Sequence, residues 1–563
     1  MRVCLMITFV LWSGMSATAG ILLWQTPFAP AQQSPSMVSA DIAGDSRHEI
    51  IVGCFSGIHV FSASGALLPG WPTTAPPPQP QNGVSGPVIP PRIGDINGDG
   101  QREFVYIEAT HRRIVAMDFS GACLPGFPRA FPTTVWGTNP LEIYYLVLAD
   151  SNGNGADEIF VLSGSSIMRV FGIDGLGQLL PSWPVALQPP PAPAGFGPWN
   201  DQFPAGLSAA DIDGDGLQEV FCSYRMYASG SRFGVVWGIA SDGTILPGWP
   251  QLPSDGGGAG ALIFTDVEGD LQPDLLMTGD EKLQHFHVDG TWFPHNVTYS
   301  YNQAGGEHMA GNFGGVFRAI IEAGEIALIA VNSPGMPAPA ATLRTSLLDE
   351  FSTYIGGSVG DVDGDGLQDL AIWSINSNAS NGLYLHLLDH NLNQKPGWPK
   401  LFTPNISSTY AQWATLMVDL DGDGDSEIVH SYGDQLYAWD QPPIGSNPAP
   451  PLWPMETHGV AATWNQWQLL ADYTEFLRGD SDGDNAVNLF DAVVSLEYLF
   501  LGGSVSCLEA LDVDASQSVN VQDPVLLLSY LFLSGPPPQQ PHPGCELVVV
   551  SASGPGCAQG SCP

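Results

Sequence analysis

The sequence predicts an all-β protein of repeated four-stranded units, followed by a small α-helical module. Three observations support this prediction. An acidic loop recurs along the chain, each copy precedes short runs of β-branched and aromatic residues, and helical periodicity appears only after residue 467. The 563 residues include 66 Gly and 49 Pro, and only 13% are charged. Such a composition favours short strands joined by turns over long charged helices.

The clearest copy of the loop is Asp361-Val-Asp-Gly-Asp-Gly-Leu-Gln-Asp369, which leads into the apolar run 370–373. Acidic side chains at its first, third, fifth and ninth positions supply hard oxygen ligands, and Gly366 permits a sharp turn. This set suits Ca2+, which takes several oxygen ligands in flexible geometry. A solvated Asp-Gly turn would explain one isolated copy, but not its recurrence.

Seven copies of the loop are recognisable, and six of them carry near-complete ligand sets. The first copy, residues 41–49, lacks an oxygen ligand at its third position, and Leu271 replaces the glycine of the fifth copy. The candidate Ca2+ ligands of the six fuller copies are Asp95, Asn97, Asp99 and Glu103; Asp150, Asn152, Asn154 and Glu158; Asp211, Asp213, Asp215 and Glu219; Asp266, Glu268, Asp270 and Asp274; Asp361, Asp363, Asp365 and Asp369; and Asp419, Asp421, Asp423 and Glu427.

The spacing of the loops predicts a β-propeller over residues 20–470, with eight blades, or seven. Successive loops begin 54 and 55 residues apart, at Asp41, Asp95 and Asp150. A 95-residue gap before Asp361 leaves room for a unit that has lost its acids, predicted around His308–Ile321. A four-stranded unit cannot bury both faces alone, whereas units packed around an axis can. A linear solenoid is the alternative architecture.

Two further features bear on this architecture. Trp453-Pro-Met455 resembles the closing segment of a unit and is predicted to complete a blade begun by the N-terminal strand around Ile21–Trp24. Many units end in Pro-Gly-Trp-Pro or a relative, as at 69–72 and 247–250. Because these elements recur from unit to unit, we expect their aromatic side chains to pack between blades.

The run Ala-Asp-Ile-Asp-Gly-Asp-Gly-Leu-Gln-Glu-Val at 210–220 and its siblings, with the Gly-Trp-Pro endings, resemble the FG-GAP/VCBS repeat family. That family is similar to the integrin α-subunit propeller, in which such loops bind Ca2+. The resemblance covers residues 20–470 and implies a calcium-binding propeller. The motif is specific for architecture and metal, and poorly specific for function.

Residues 476–535 contain two twelve-residue acidic loops, each leading into an apolar helix candidate. This duplicated pattern resembles a type I dockerin, an EF-hand-like module whose best-known members dock onto cohesins. The resemblance implies bound Ca2+ and a cohesin-like partner. The alternative is a packing or anchoring module that bound Ca2+ stabilises. A Pro/Cys-rich tail follows at 536–563. The candidate ligands are Asp480, Asp482, Asp484, Asn488 and Asp491, then Asp512, Asp514, Ser516, Asn520 and Asp523.

Residues 1–19 are predicted to be a secretory signal peptide, since Arg2 precedes the apolar run 3–12 and the small-residue site Ala17-Thr-Ala19. The sequence therefore predicts a secreted or cell-surface protein with no transmembrane span after cleavage, in which disulfides can form. Cys54, Cys123 and Cys222 are expected to be buried thiols. Four cysteines near the C-terminus leave three pairings open: Cys507, Cys545, Cys557 and Cys562.

The net charge of −41 argues against binding to nucleic acid or anionic membranes. No catalytic motif is recognised, so no catalytic residue is assigned and Ca2+ is the one expected cofactor. His285 and His287 alternate along a predicted strand and share a face, an arrangement more often structural than metal-binding. The sequence favours a binding or adhesion protein for an extracellular protein or polysaccharide. The alternative is a polysaccharide-degrading enzyme, a lyase or a glycoside hydrolase.

Overall fold

The chain divides into two compact units, residues 1–465 and 466–563. A computed structural model describes residues 21–27, 36–72, 91–130, 142–252, 260–293, 308–345, 352–402, 415–441 and 473–549, with short gaps inside several of these ranges. Within the described part of the first unit there are eight small antiparallel sheets. Among the described residues, no helix is long and apolar enough to cross a membrane.

The strands of the first unit are short, and most pair with their neighbours in sequence. They are β1 (Ile21–Pro27), β2 (Ser36–Ala40), β3 (Glu49–Cys54), β4 (Gly57–Phe61), β5 (Arg92–Gly94), β6 (Glu103–Glu108), β7 (Arg113–Met117), β8 (Arg129–Ala130), β9 (Glu142–Ala149), β10 (Glu158–Gly164), β11 (Arg169–Ile173), β12 (Val185–Ala186), β13 (Asp201–Ala210), β14 (Glu219–Ala228), β15 (Ser231–Ile239), β16 (Leu262–Thr265), β17 (Asp274–Thr278), β18 (Leu283–Phe286), β19 (Trp292–Phe293), β20 (His308–Asn312), β21 (Phe317–Glu322), β22 (Ile326–Ala330), β23 (Thr342–Thr345), β24 (Ser352–Gly360), β25 (Asp369–Asn376), β26 (Leu383–Leu388), β27 (Lys400–Phe402), β28 (Thr415–Val418), β29 (Glu427–Tyr432) and β30 (Gln435–Asp440).

The strands form sheets in chain order, and the first strand completes the last sheet. Sheets 1 to 7 are β2–β4, β5–β8, β9–β12, β13–β15, β16–β19, β20–β23 and β24–β27; sheet 8 is β28–β30 with β1. Strand β1 pairs antiparallel with β30, and Trp24 lies opposite Ala438. The prediction that the N-terminal strand belongs to the last sheet is confirmed. The segment 453–455, predicted to complete that sheet, lies outside the described residues.

The first strands of neighbouring sheets lie against one another. Strand β9 contacts both β5 and β13, and β13 also contacts β16. Further along, β24 contacts both β20 and β28, and β28 contacts β2, which brings sheet 8 back to sheet 1. Sheets packed in series through their first strands, with the last against the first, favour the β-propeller-like architecture over a linear solenoid.

The hydrophobic core lies between adjacent sheets. One cluster joins Val38 and Ile51 of sheet 1 to Phe104 of sheet 2, and Trp71 of a Pro-Gly-Trp-Pro segment belongs to the same cluster. The rings of Trp71 and Phe104 meet edge to face, with their centroids 5.2 Å apart. The predicted packing of these tryptophans between sheets is thus confirmed, and the repeated aromatic residue contributes to the junction.

The glycines of the Pro-Gly-Trp-Pro segments bring one sheet close to the next. At Gly126 and Gly248 φ is +92° and +87°. A Cβ added at these glycines would lie 2.1 Å from the carbonyl oxygen of Leu176 and 2.2 Å from that of Asp289, respectively. Both carbonyls belong to turns of the following sheet. The peptide bonds between the aromatic residue and the following proline are cis at Pro72, Pro128, Pro184, Pro250 and Pro399.

The second unit contains two helices and a short two-stranded sheet. The helices are α1 (Leu489–Leu501) and α2 (Gln522–Leu533), and they contact each other. Strand β31 (Tyr473–Phe476) pairs antiparallel with β32 (Glu546–Val549). Cys507 is disulfide-bonded.

The cysteines of the first unit do not share one environment. Cys222 is completely buried on β14, as expected. Cys123, however, is exposed, because it lies in the turn after β7 and not on a strand; the prediction that it is buried was wrong.

Substitution of Gly248 by Ala is expected to destabilise the first unit more than substitution of Gly70. Both glycines occupy the same place in the repeat and have positive φ, +87° at Gly248 and +93° at Gly70. At Gly248 the new Cβ would meet a neighbouring backbone, whereas at Gly70 it meets no atom of the described residues within 4 Å. The strain of a positive φ costs roughly 1–2 kcal/mol in each variant. The backbone clash adds about 1–3 kcal/mol to Gly248→Ala alone.

Urea unfolding of the two variants in parallel measures this difference. Equal losses of stability would show that the close approach of the two sheets contributes nothing.

Candidate metal-binding loops

Each acidic loop joins the first strand of a sheet to the second. The ninth residue of the loop is also the first residue of the second strand, as with Glu103 on β6, Glu219 on β14 and Glu427 on β29. Glu103, Glu219 and Glu427 are buried, with 2%, 4% and 1% of their surface exposed. The sheet therefore holds the ninth carboxylate in the interior, while the preceding acids lie in the loop.

The same hydrogen bond closes the six loops of the first unit in which both of its residues are described. The side chain of the ninth residue accepts the backbone N–H of the second residue. The N–O distances are 2.8 Å for Glu49 and Ile42, 3.1 Å for Glu103 and Ile96, 2.9 Å for Glu158 and Ser151, 3.1 Å for Glu219 and Ile212, 3.2 Å for Asp369 and Val362, and 2.6 Å for Glu427 and Leu420. The first loop, which lacks a ligand at its third position, keeps this bond.

The first aspartate of the loop orients the turn. In loop 95–103, Asp95 Oδ1 accepts the N–H of Gly98 at 2.7 Å, and Asp95 Oδ2 accepts that of Gly100 at 2.8 Å. Both glycines have positive φ, +72° and +81°, which L side chains rarely adopt. In loop 211–219, the Asp211 carboxylate likewise accepts the backbone N–H groups of Gly214 and Gly216. In these two loops, glycine is therefore favoured at the fourth position as well as at the predicted sixth.

The acids of a loop come close enough to share one cation. Within each of the sets Asp95, Asp99 and Glu103; Asp211, Asp213 and Glu219; Asp361, Asp363 and Asp369; and Asp419, Asp421 and Glu427, one ligand atom per residue lies within 4.8 Å of the others. Of the predicted ligands, Asp266, Glu268, Asp270, Asp365, Asp423, Asp484 and Ser516 lie outside the described residues.

The electrostatics of the loops favour a bound cation. The pKa of Glu219 is raised to about 7; burial is the main cause, the neighbouring Asp213, Asp211 and Asp215 contribute, and the Ile212 N–H opposes the rise. The pKa of Glu427 is likewise raised to about 9, mainly by burial and also by Asp421. Like charges and desolvation both disfavour the ionised carboxylate. A divalent cation would offset both effects, so the clusters can bind a metal ion.

Neighbouring loops are joined by backbone hydrogen bonds. The eighth residue of one loop donates its N–H to the carbonyl of the first residue of the preceding loop: Asp157 to Asp95 at 2.7 Å, Gln218 to Asp150 at 3.1 Å and Ser426 to Asp361 at 2.8 Å. These bonds place the loops of adjacent sheets side by side.

Loop 361–369 differs because a lysine ammonium lies in its acidic cluster. Lys395 Nζ forms ion pairs with Asp363 Oδ2 and, at 2.8 Å, with Asp369 Oδ2. The lysine side chain is only 7% exposed. Burial opposes its charge, but the two carboxylates outweigh burial and raise the pKa of Lys395. This loop therefore has an internal cation where the sequence predicted a metal ion.

The sequence contained a signal for this lysine that was missed. Other units have leucine before the Pro-Gly-Trp turn, and Leu68, Leu124 and Leu180 pack into the core. Lys395 occupies the same place in the repeat, directly before Pro396. A charged residue at a position that is otherwise core requires a partner, and the acidic loop of its own sheet supplies one.

In the second unit, the last residue of each acidic loop caps a helix. Asp491 Oδ2 accepts the backbone N–H of Asn488 at 2.7 Å, while Asn488 Oδ1 accepts that of Phe490 at 2.8 Å. Asp523 and Asn520 repeat this reciprocal arrangement at α2. It resembles a capping box, except that each asparagine accepts the N–H two residues later and not three. The spacing Asn-x-x-Asp makes this signal readable in the sequence. Both aspartates are completely buried.

Comparison with known proteins identifies one repeat of the chain. Residues 361–430 match the FG-GAP-like repeat family, over the loop with the lysine and the loop that follows it. No curated protein matches the sequence.

Solved structures similar to this chain are β-propeller-like proteins. The V. cholerae biofilm matrix protein Bap1 is 13% identical, with 78% of this chain and 94% of that chain covered and a TM-score of 0.36. The exotype rhamnogalacturonan lyase YesX is 14% identical, with 77% of each chain covered and a TM-score of 0.45. A rhamnogalacturonan lyase of Bacillus licheniformis is 14% identical, with 78% of each chain covered and a TM-score of 0.43.

Replacement of Lys395 by Met is expected to destabilise the first unit by about 3–5 kcal/mol in chelator, because two buried carboxylates lose their counter-ion. Millimolar Ca2+ should restore part of this loss by occupying the vacated position. Lys400→Met is the matched control, since Lys400 lies on β27 with its Nζ over the ring of Trp398, 4.7 Å from the ring centroid. Denaturant unfolding with and without Ca2+ measures both effects. A loss no larger than that of the control would contradict this role of Lys395.

Proposed function

We propose that this protein is an exported, Ca2+-stabilised β-propeller of eight blades that binds an extracellular protein or polysaccharide. Its C-terminal unit would be a dockerin-like, EF-hand-related module that binds Ca2+ and docks onto a cohesin-like partner. The proposal depends above all on one observation: the acidic loops recur in one closed form, with clustered carboxylates held by the same hydrogen bond. Clusters of carboxylate and carbonyl oxygens suit Ca2+ better than transition metals.

The docking role of the second unit is supported by exposed apolar residues that repeat between its two halves. Leu489, Val493, Phe500 and Leu501 of α1 correspond, 32 positions later, to Val521, Val525, Phe532 and Leu533, and every one of these side chains is at least 38% exposed. Apolar side chains exposed at equivalent positions of a duplicated module favour a protein-binding surface. A cohesin-like partner is the occupant that we propose.

Export is supported by chemistry at both ends of the chain. Residues 1–19 have the pattern of a signal peptide, and they lie outside the described residues. Cys507 is disulfide-bonded, and stable disulfides are a feature of oxidising compartments. Extracellular Ca2+ is also abundant enough to fill sites of modest affinity, in the range of about 10⁻⁴–10⁻³ M known for extracellular modules.

Binding assays on the full-length protein test the proposed function. We expect saturable, Ca2+-dependent binding to one class of glycan or to an extracellular matrix protein, with the ligand recovered chemically unchanged. Shortened or unsaturated products would instead show a lyase or hydrolase. No binding to any glycan or matrix protein in millimolar Ca2+ would contradict a binding role.

Calcium should stabilise each unit through its own loops. Glu219→Gln keeps an oxygen that can accept the Ile212 N–H but removes a charge from loop 211–219. A tenfold weaker site would lose about 1.4 kcal/mol of Ca2+-dependent stabilisation at excess ion. In Ca2+, amide hydrogen exchange along β14 should therefore be faster in the Glu219→Gln variant than in the wild-type protein. Asp480→Ala should make amide hydrogen exchange faster along α1, since the first loop of the second unit has the fuller ligand set.

The two variants serve as controls for each other, because each should change exchange in its own unit. Glu497→Gln removes an exposed charge from α1, outside the loops, and should change neither pattern. Identical exchange of the wild-type protein in Ca2+ and in chelator would show that the loops are only acidic turns.

A further inference from the structure

Sheet 5 brings one carboxylate and two histidines together on one face. Asp274 begins β17, His285 lies on β18 and His287 follows the end of that strand. The two strands are antiparallel, with Leu275 opposite Phe286 and Leu276 opposite His285. Because side chains alternate along a strand, His285 and His287 share a face, and the register puts Asp274 on that same face.

The three side chains converge on one oxygen atom. Asp274 Oδ1 lies 3.0 Å from His285 Nε2 and 2.9 Å from His287 Nδ1. The two imidazole rings have centroids 5.4 Å apart and are inclined at 59°. The three ligand atoms lie within 4.8 Å of one another. Asp274 and His285 are buried, whereas the His287 side chain is 29% exposed, so an ion can reach the cluster from the His287 side.

We propose that Asp274, His285 and His287 form a binding site for a divalent transition-metal ion of the zinc class. Imidazole nitrogens select such ions over Ca2+, and two histidines with one carboxylate are a common set of protein ligands for them. His285 would bind through Nε2 and His287 through Nδ1. Ligands about 2.0–2.1 Å from a tetrahedral ion are about 3.3 Å apart, so the two oxygen–nitrogen distances would each lengthen by a few tenths of an ångström to admit the ion.

This site differs in chemistry from the acidic loops, although Asp274 is the ninth residue of loop 266–274. In loops 95–103, 211–219 and 419–427 the grouped ligands are carboxylates, whereas here two of the three are imidazoles. The oxygen-rich loops and the histidine site can therefore be filled by different ions. Millimolar Ca2+ would occupy the loops and leave the nitrogen ligands to a transition metal.

Titration of the full-length protein with Co2+ in millimolar Ca2+ tests the site. We expect visible absorption bands from one tightly bound Co2+ per chain, which added Zn2+ abolishes. His285→Ala should weaken this binding at least about tenfold, since loss of even an indirect partner of a metal ligand costs 10–100-fold. His287→Ala should do the same, and its partial exposure makes it the variant better tolerated by the fold.

His386→Ala is the matched control. His386 is also a buried strand histidine, on β26, with its Nδ1 3.0 Å from Gln394 Oε1, and its loss should leave the tight Co2+ site intact. Circular dichroism verifies that each variant is folded. Unchanged Co2+ stoichiometry and affinity in both His285→Ala and His287→Ala would overturn the proposal. An equal loss in His386→Ala would also overturn it, because the effect would then not belong to this cluster.

Discussion

The hydrogen bond between the ninth carboxylate of a loop and the backbone N–H of its second residue is the constraint on which the first unit depends. It is made in loops with full ligand sets, in the loop of the first sheet and in the loop with an internal lysine. Since the ninth residue also begins a strand, this bond ties the turn to the sheet. Backbone bonds such as that of Asp157 to Asp95 also connect three of the loops to the loop before them. These hydrogen bonds hold the loops in place whether or not each loop binds an ion.

The clustered carboxylates of the loops require positive charge, which can come from a bound cation or from a side chain of the protein. Most loops present clustered oxygens and carboxylates whose pKa is raised, which suits a divalent cation from solution. Loop 361–369 contains the ammonium of Lys395 instead. The net charge of −41 already includes the charge of Lys395, so only cations bound at other loops would reduce it further. In sheet 5 the cluster differs again, because two histidines lie beside Asp274 and add nitrogen ligands to the carboxylate oxygen.

The junctions between sheets explain why the Pro-Gly-Trp-Pro segment is repeated with so little variation. At Gly126 and Gly248 the glycine lies against the backbone of the next sheet, and at Trp71 the aromatic residue fills the core between two sheets. One turn thereby supplies both the close approach and the apolar area that a small sheet needs to bury its faces. In the second unit the acidic loops have an analogous double role, because Asp491 and Asp523 cap the helices that follow.

The sequence by itself determined the repeats, their acidic loops, the strands that follow them and the two helices of the second unit. These features depend on local chemistry: turn residues, alternating apolar positions and helix caps recur at fixed spacings. Only the tertiary structure decided what each acid contacts. Lys395 reaches Asp363 from 32 positions away, and Asp274 meets His285 across two strands. Such contacts depend on strand register and on which face of the sheet a side chain occupies, and spacing along the chain does not specify either.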